Sequence, residues 1–121
     1  MRVLLADEQS RVRSALRVLL EQNSDYEIVA EATEAAELVE KVQREAIELV
    51  VLDWRLPGLD GELLIETLQR TAQNLIIVVL SGRPEARQTA LEAGADAFVS
   101  KADPPEELLA TLHEVCTRRA H

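Results

Sequence analysis

Four short apolar runs in this chain each end in a polar group with chemical potential. Val3-Leu4-Leu5-Ala6 ends in Asp7-Glu8, and Leu49-Val50-Val51-Leu52 ends in Asp53. Leu75 to Leu80 ends in Ser81, and Ala97-Phe98-Val99 leads through Ser100 to Lys101. If the runs are neighbouring parallel strands, an acid pair, a lone acid, a hydroxyl and an amine meet at one sheet edge. Three carboxylates there carry about −3 of charge, which is unfavourable unless a cation joins them. A hard divalent ion suits an all-oxygen site, and Mg2+ typically takes one or two carboxylates, waters and a substrate phosphate. With Mg2+ and the Lys101 ammonium the sum comes near zero, and the site can accept a phosphoryl group. Asp53 is then the candidate nucleophile, because a carboxylate can form an acyl phosphate. Lys101 and the ion would neutralise the equatorial oxygens, and Ser81 would hydrogen-bond one of them. Singly, each residue has a plainer reading. Asp7-Glu8 suit the first turn of a helix through its dipole, Asp53 could cap a loop, and Ser81 and Lys101 are ordinary strand-end groups. Their joint occurrence in this order favours the chemistry.

The elements that must position these groups are legible as alternating patterns. Nearly continuous apolar runs begin near residues 3, 28, 49, 75 and 97, as strands buried on both faces do. Helix-period segments lie between them: Val12, Ala15, Leu16 and Leu19; Leu38 and Val42; Leu64 and Leu68; Ala86, Ala90 and Ala93; and finally Leu108, Leu112 and Val115. Asp103-Pro104-Pro105-Glu106 reads as a capping box, with Asp103 as N-cap. Thr33-Glu34 and Asp60 with Glu62 give similar helix starts, and Gly94 stands where a C-terminal glycine belongs. Five strands alternating with five helices predict a doubly wound, flavodoxin-like α/β fold with a parallel sheet of order 2-1-3-4-5. The strand order reverses between strands 1 and 3, and ligands bind at the carboxyl ends there. Asp7, Glu8 and Asp53 fall at those ends.

At 121 residues the chain reads as one domain, 1–121, with the last helix ending near 118. Its net charge is −9, from 22 acids against 13 bases, which makes this segment itself a poor binder of nucleic acid. One Trp, one Tyr and one Phe leave no stacking platform for single strands. A single cysteine, Cys116, excludes an internal disulfide and fits a reducing cytoplasmic setting. Neither a membrane span nor a signal peptide is read. His113 and His121 are expected to be solvated, since no partner stands at metal-ligand spacing.

Together these residues resemble the receiver domain of two-component response regulators, over essentially the whole chain. The resemblance rests on Asp7-Glu8, on Asp53 with Leu56-Pro57-Gly58 and Gly61, on Ser81, and on Gly94-Ala95-Asp96-Ala97-Phe98-Val99-Ser100-Lys101. It implies that Asp53 accepts phosphate from a histidine of a sensor histidine kinase. Asp7, Glu8, Asp53 and the backbone carbonyl of Arg55 would bind Mg2+, and Ser81 and Lys101 would contact the phosphoryl group. Phe98 resembles the family's switch aromatic, which responds when Ser81 moves; a core aromatic is its alternative. The readout would be the face of the fourth helix, fifth strand and fifth helix, and phosphorylation could bring a homodimer. The wording around Ser81-Gly82-Arg83-Pro84 and Lys101-Ala102 resembles receivers attached to helix-turn-helix transcription regulators. Departures from the family pattern are Ala102 where many relatives have proline, which argues against the usual cis bond, and a short Ser81–Gly94 stretch stiffened by Pro84. Arg55 would hold or shield the phosphate, or lie in solvent.

Other classes fit less well. A Mg2+-dependent phosphatase with Asp53 as nucleophile commonly has a second acid two residues on, where this chain has Arg55. A flavin mononucleotide binder needs a Gly/Ser/Thr loop after the first strand, which here is acidic. A degenerate receiver acting as a dimerisation scaffold would not need all the acceptor-site residues. Trp54 is expected over the edge between the second and third helices, near enough to report on the site.

Overall fold

Continuous apolar stretches become the interior of a sheet, because no alternating polar face has to reach water. The computed structural model describes residues 1–119. Five strands, β1 (Arg2–Ala6), β2 (Glu27–Ala32), β3 (Leu49–Asp53), β4 (Ile76–Ser81) and β5 (Ala97–Ser100), alternate with five helices. These are α1 (Ser10–Glu21), α2 (Ala35–Arg44), α3 (Gly61–Thr71), α4 (Ala86–Ala93) and α5 (Pro105–Arg119). All neighbouring strands are parallel, in the order β2-β1-β3-β4-β5. The expected topology is therefore the observed one. The reading of His121 falls outside the described residues; His113 is exposed on α5.

Strand residues alternate between two faces. Leu4, Val50, Leu52, Ile77 and Val79 meet α2, α3 and α4 through Leu38, Val42, Leu64, Ile65, Leu68 and Ala90. Val3, Leu5, Val51, Val78 and Val99 meet α1 and α5 through Leu20, Leu108, Leu112 and Val115. On α1 the buried residue is Leu20; Leu16 and Leu19 are only partly covered and Ala15 is exposed. The sequence periodicity placed that helix's inner face about one residue too early.

Register brings the polar ends level. Ala6 pairs with Leu52, Asp53 with Leu80, and Ser81 with Ser100. The ladder continues past the strands: Asp7 N donates to Ala32 O (3.0 Å), Trp54 N to Leu80 O (2.9 Å) and Lys101 N to Ser81 O (2.9 Å). These bonds set the first residue of each loop as firmly as a strand residue.

Helix ends follow the expected signals only in part. Gly94 caps α4 in the left-handed region at φ 116°, and a Cβ there would collide with the Gln69 side chain. Glu34 caps α2, accepting from Ala36 N and Glu37 N, while Glu37 accepts from Thr33 N at 2.7 Å. Asp60 stands at the N-cap of α3 without a side-chain cap bond. Asp103 does not cap α5. The helix begins at Pro105, two residues on, and the Asp103 carboxylate instead accepts from Ser100 N at 3.3 Å. Every peptide bond of the described residues is trans, Lys101-Ala102 included.

Candidate phosphoryl-acceptor site

Asp7 leaves β1 at a buried position, 1% exposed, where an unpaired carboxylate would be costly. Both its oxygens are engaged: Oδ1 accepts from Gln9 N at 2.8 Å and Oδ2 from Lys101 Nζ at 3.1 Å. Asp53, at the end of β3, lies 3.3 Å from the same ammonium through Oδ1, which also accepts from Arg55 N at 3.3 Å. One lysine from the far end of β5 thus bridges two carboxylates from β1 and β3. The Lys101 side chain is 30% exposed against 2% and 11% for its partners, so the cation reaches inward from the solvent side.

Of the expected site residues, Asp7, Asp53 and Lys101 are brought together. Ser81 lies beside them, buried, and its Oγ accepts from Arg83 N at 3.0 Å. Glu8 is exposed, and among the described residues no three His, Cys, Asp or Glu side chains converge enough to ligate one ion. The expected three-carboxylate cluster is therefore not assembled. Two carboxylates remain, with the Arg55 carbonyl, to which no backbone amide of the described residues donates. That all-oxygen set still fits Mg2+, which needs only one or two carboxylates beside water and phosphate oxygens. The Arg55 side chain is exposed and makes no ion pair among the described residues.

Phe98 on β5 points into the α2–α3–α4 core and is 6% exposed. The Arg87 guanidinium from α4 lies 5.8 Å from its ring centroid and donates to the Phe98 carbonyl at 3.4 Å. Trp54 does not lie at the α2–α3 edge. Its ring packs on Gly61, where a Cβ would come within 2.6 Å of it, in a groove also lined by Arg83, Ala86 and Thr89. The first turn of α3 therefore has room only for glycine beneath the indole.

One arrangement was not visible in the sequence. Arg13 of α1 donates through Nη1 to the carbonyls of Asp7 (2.7 Å) and Glu8 (3.2 Å), and through Nε to Glu31 of β2 (2.7 Å). Arg17 pairs with the other Glu31 oxygen. Its hydrogen bond, seconded by that of Arg13, holds the Glu31 carboxyl below the usual carboxylate range against the opposing effect of burial. Beside Lys101, α1 and the start of α5 enclose an apolar groove of about 510 Å³, lined by Val12, Leu16, Leu19, Pro104, Pro105 and Leu108.

Over most of its length the chain is similar to known proteins. A family model for the response regulator receiver domain matches residues 3–113. The Fimbriae Z protein of Salmonella typhimurium is 35% identical over 101 residues, covering 82% of this chain and 48% of that protein. The phosphate regulon transcriptional regulatory protein PhoB of Escherichia coli is 31% identical over 121 residues, covering 97% and 52%. The chain spans about half the length of these curated relatives. RcsB from Salmonella enterica, solved bound to promoter rprA with the phosphomimetic BeF3-, has a TM-score of 0.90 at 25% identity and covers 97% of this chain and 60% of that one. A CheY-like receiver domain protein from Methanospirillum hungatei has a TM-score of 0.86 at 26% identity, with 98% and 95% covered. With nearly the whole chain matched, it belongs to the response regulator receiver domain family, the phosphorylation-dependent switches of two-component signalling.

Proposed function

We propose that Asp53 is the phosphoacceptor of this receiver, that Asp7, Asp53 and the Arg55 carbonyl hold Mg2+ with Glu8 turning in to join them, that Ser81 and Lys101 contact the phosphoryl group, and that Ser81 and Phe98 form the switch. The observation that carries this is the Lys101 ammonium, 3.1 Å from Asp7 and 3.3 Å from Asp53. In phosphoryl transfer, an Asp53 oxygen attacks phosphorus while the bond to the donor histidine nitrogen breaks, and the imidazole leaves with the bond's electron pair. Bound Mg2+ would supply charge neutralisation at the transferred oxygens. Lys101 is already aimed at the Asp53 carboxylate and would follow a phosphoryl oxygen with a short movement. Ser81 would release the Arg83 amide and turn its hydroxyl toward the new anion. Phosphorylation then favours whichever conformation lets both groups close, a population shift set by their differential contacts.

The donor is proposed to be a sensor histidine kinase, resting on the apolar α1–α5 groove that opens beside Lys101. Output would pass through α4, β5 and α5, to a transcriptional effector or a second copy of the chain. Among the described residues no helix is long and apolar enough to cross a membrane, and a cytoplasmic location is part of this reading. A turnover phosphatase is disfavoured by Arg55, an exposed cation at the position where a second acid would serve.

The test uses a small-molecule phosphodonor with Mg2+. The unaltered chain should gain the mass of one phosphoryl group, removable by hydroxylamine as expected of an acyl phosphate. Asp53→Asn should gain none, and equal labelling of that variant would refute the assignment.

A further inference from the structure

We propose that Arg13 is a positioning residue for the acidic loop, aiming the side chains of Asp7 and Glu8 by gripping their backbone carbonyls. The inference rests on the reading of that loop as part of a Mg2+ site.

The loop is three residues long, from the end of β1 at Ala6 to the start of α1 at Ser10. Its peptides decide where two carboxylates point. Asp7 N is fixed by Ala32 O and Gln9 N by Asp7 Oδ1. The Asp7 and Glu8 carbonyls both receive the Arg13 Nη1 group, at 2.7 and 3.2 Å. Rotating either peptide would break a charge-assisted bond and re-aim the Glu8 side chain, which stands exposed next to the site. The guanidinium is itself immobilised. Its side chain is 15% exposed, and Nε is held by Glu31 at 2.7 Å. Glu31 is held in turn by Arg17, and Lys41 Nζ bonds its backbone carbonyl at 2.6 Å. The loop is thus tied through one planar fork to α1 and β2, and β2 is tied to α2 by Lys41.

Charge alone predicts the opposite consequence. Arg13 is a cation near a site for a cation, so deleting it should tighten Mg2+ binding by Coulomb's law. A positioning role predicts weakening, and loss of such supporting partners typically costs about 10–100-fold in metal affinity. Arg17 is the internal control. It carries the same charge and meets the same Glu31, yet makes no bond to the loop.

Mg2+ titration of the full chain, followed by Trp54 fluorescence and by calorimetry, separates the two. Arg13→Ala should raise the dissociation constant about tenfold, while Arg17→Ala leaves it unchanged or lowers it. Without metal, exchange of the Gln9 amide should speed up in Arg13→Ala and not in Arg17→Ala. If Arg13→Ala does not fold, Arg13→Gln bears the same measurements. Equal or tighter Mg2+ binding by the Arg13 variant, with Gln9 exchange unchanged, would overturn the inference. An unaltered protein that binds no Mg2+ would instead overturn the site reading beneath it.

Discussion

The two halves of the proposed acceptor edge are built differently. On the β1–β3 side, Asp7 has both oxygens engaged, its loop is gripped by Arg13, and Lys101 ties it to Asp53. On the β4–β5 side, among the described residues the Ser81 hydroxyl bonds only to the amide two residues along, and apart from its chain neighbours Gly82 has no atom within 4 Å of where a Cβ would stand. The covering of Phe98 by Arg87 is a weak, exposed contact. A side built from buried, cross-strand bonds holds its shape; one built from local bonds and a short α4 of eight residues can rearrange cheaply. A phosphoryl group needs both properties, a fixed platform to bind and a neighbour that moves when it arrives.

Breaking the fixed half should have the larger effect. Lys101→Ala leaves two poorly solvated carboxylates facing each other without their shared cation. In a chelator, denaturant unfolding should show a loss of about 2 kcal/mol, below the 3–5 kcal/mol of a fully buried pair because the lysine is partly solvated. Millimolar Mg2+ should restore much of it. Unchanged stability in chelator would mean that the bridge ties nothing together. Loosening the mobile half should cost little stability and alter the switch instead. Arg87→Ala removes a cation–π contact of about 0.5–1 kcal/mol. The outward population of Phe98, read from the ring's NMR signals, should then rise about two- to fivefold. A ring population indifferent to Arg87 would leave that contact without a role in the switch.

How much of this was legible in the sequence depends on the distance over which a residue's role is decided. Strands and their polar ends were readable, since a buried parallel strand needs an apolar run and the next residue must lie at the edge. That placed Asp7, Asp53, Ser81 and Lys101 correctly along the chain. The direction of Glu8 was not readable, because it is set by two peptides that Arg13 holds from a turn away. No pattern in the sequence distinguishes Arg13 from a solvated helix cation. Its partner Glu31 faces α1 only because the β1–β2 register shifts between Val3 and Leu4, so that Leu5 pairs with Glu31. Asp103 failed as a cap because two consecutive prolines delay the helix, and its carboxylate found the nearer Ser100 amide. Trp54 was misplaced because only the absence of a side chain at Gly61 lets the indole lie there.

The most direct test compares backbone amide shifts with and without beryllofluoride and Mg2+, in the unaltered chain and in Ser81→Ala. The account predicts changes spreading from Asp53 through Ser81–Arg83 into α4 and Phe98, with β1 and the buried length of β3 nearly still, and the spread cut short in Ser81→Ala. Shifts confined to the loops at Asp7 and Asp53, or an identical spread without the Ser81 hydroxyl, would contradict it.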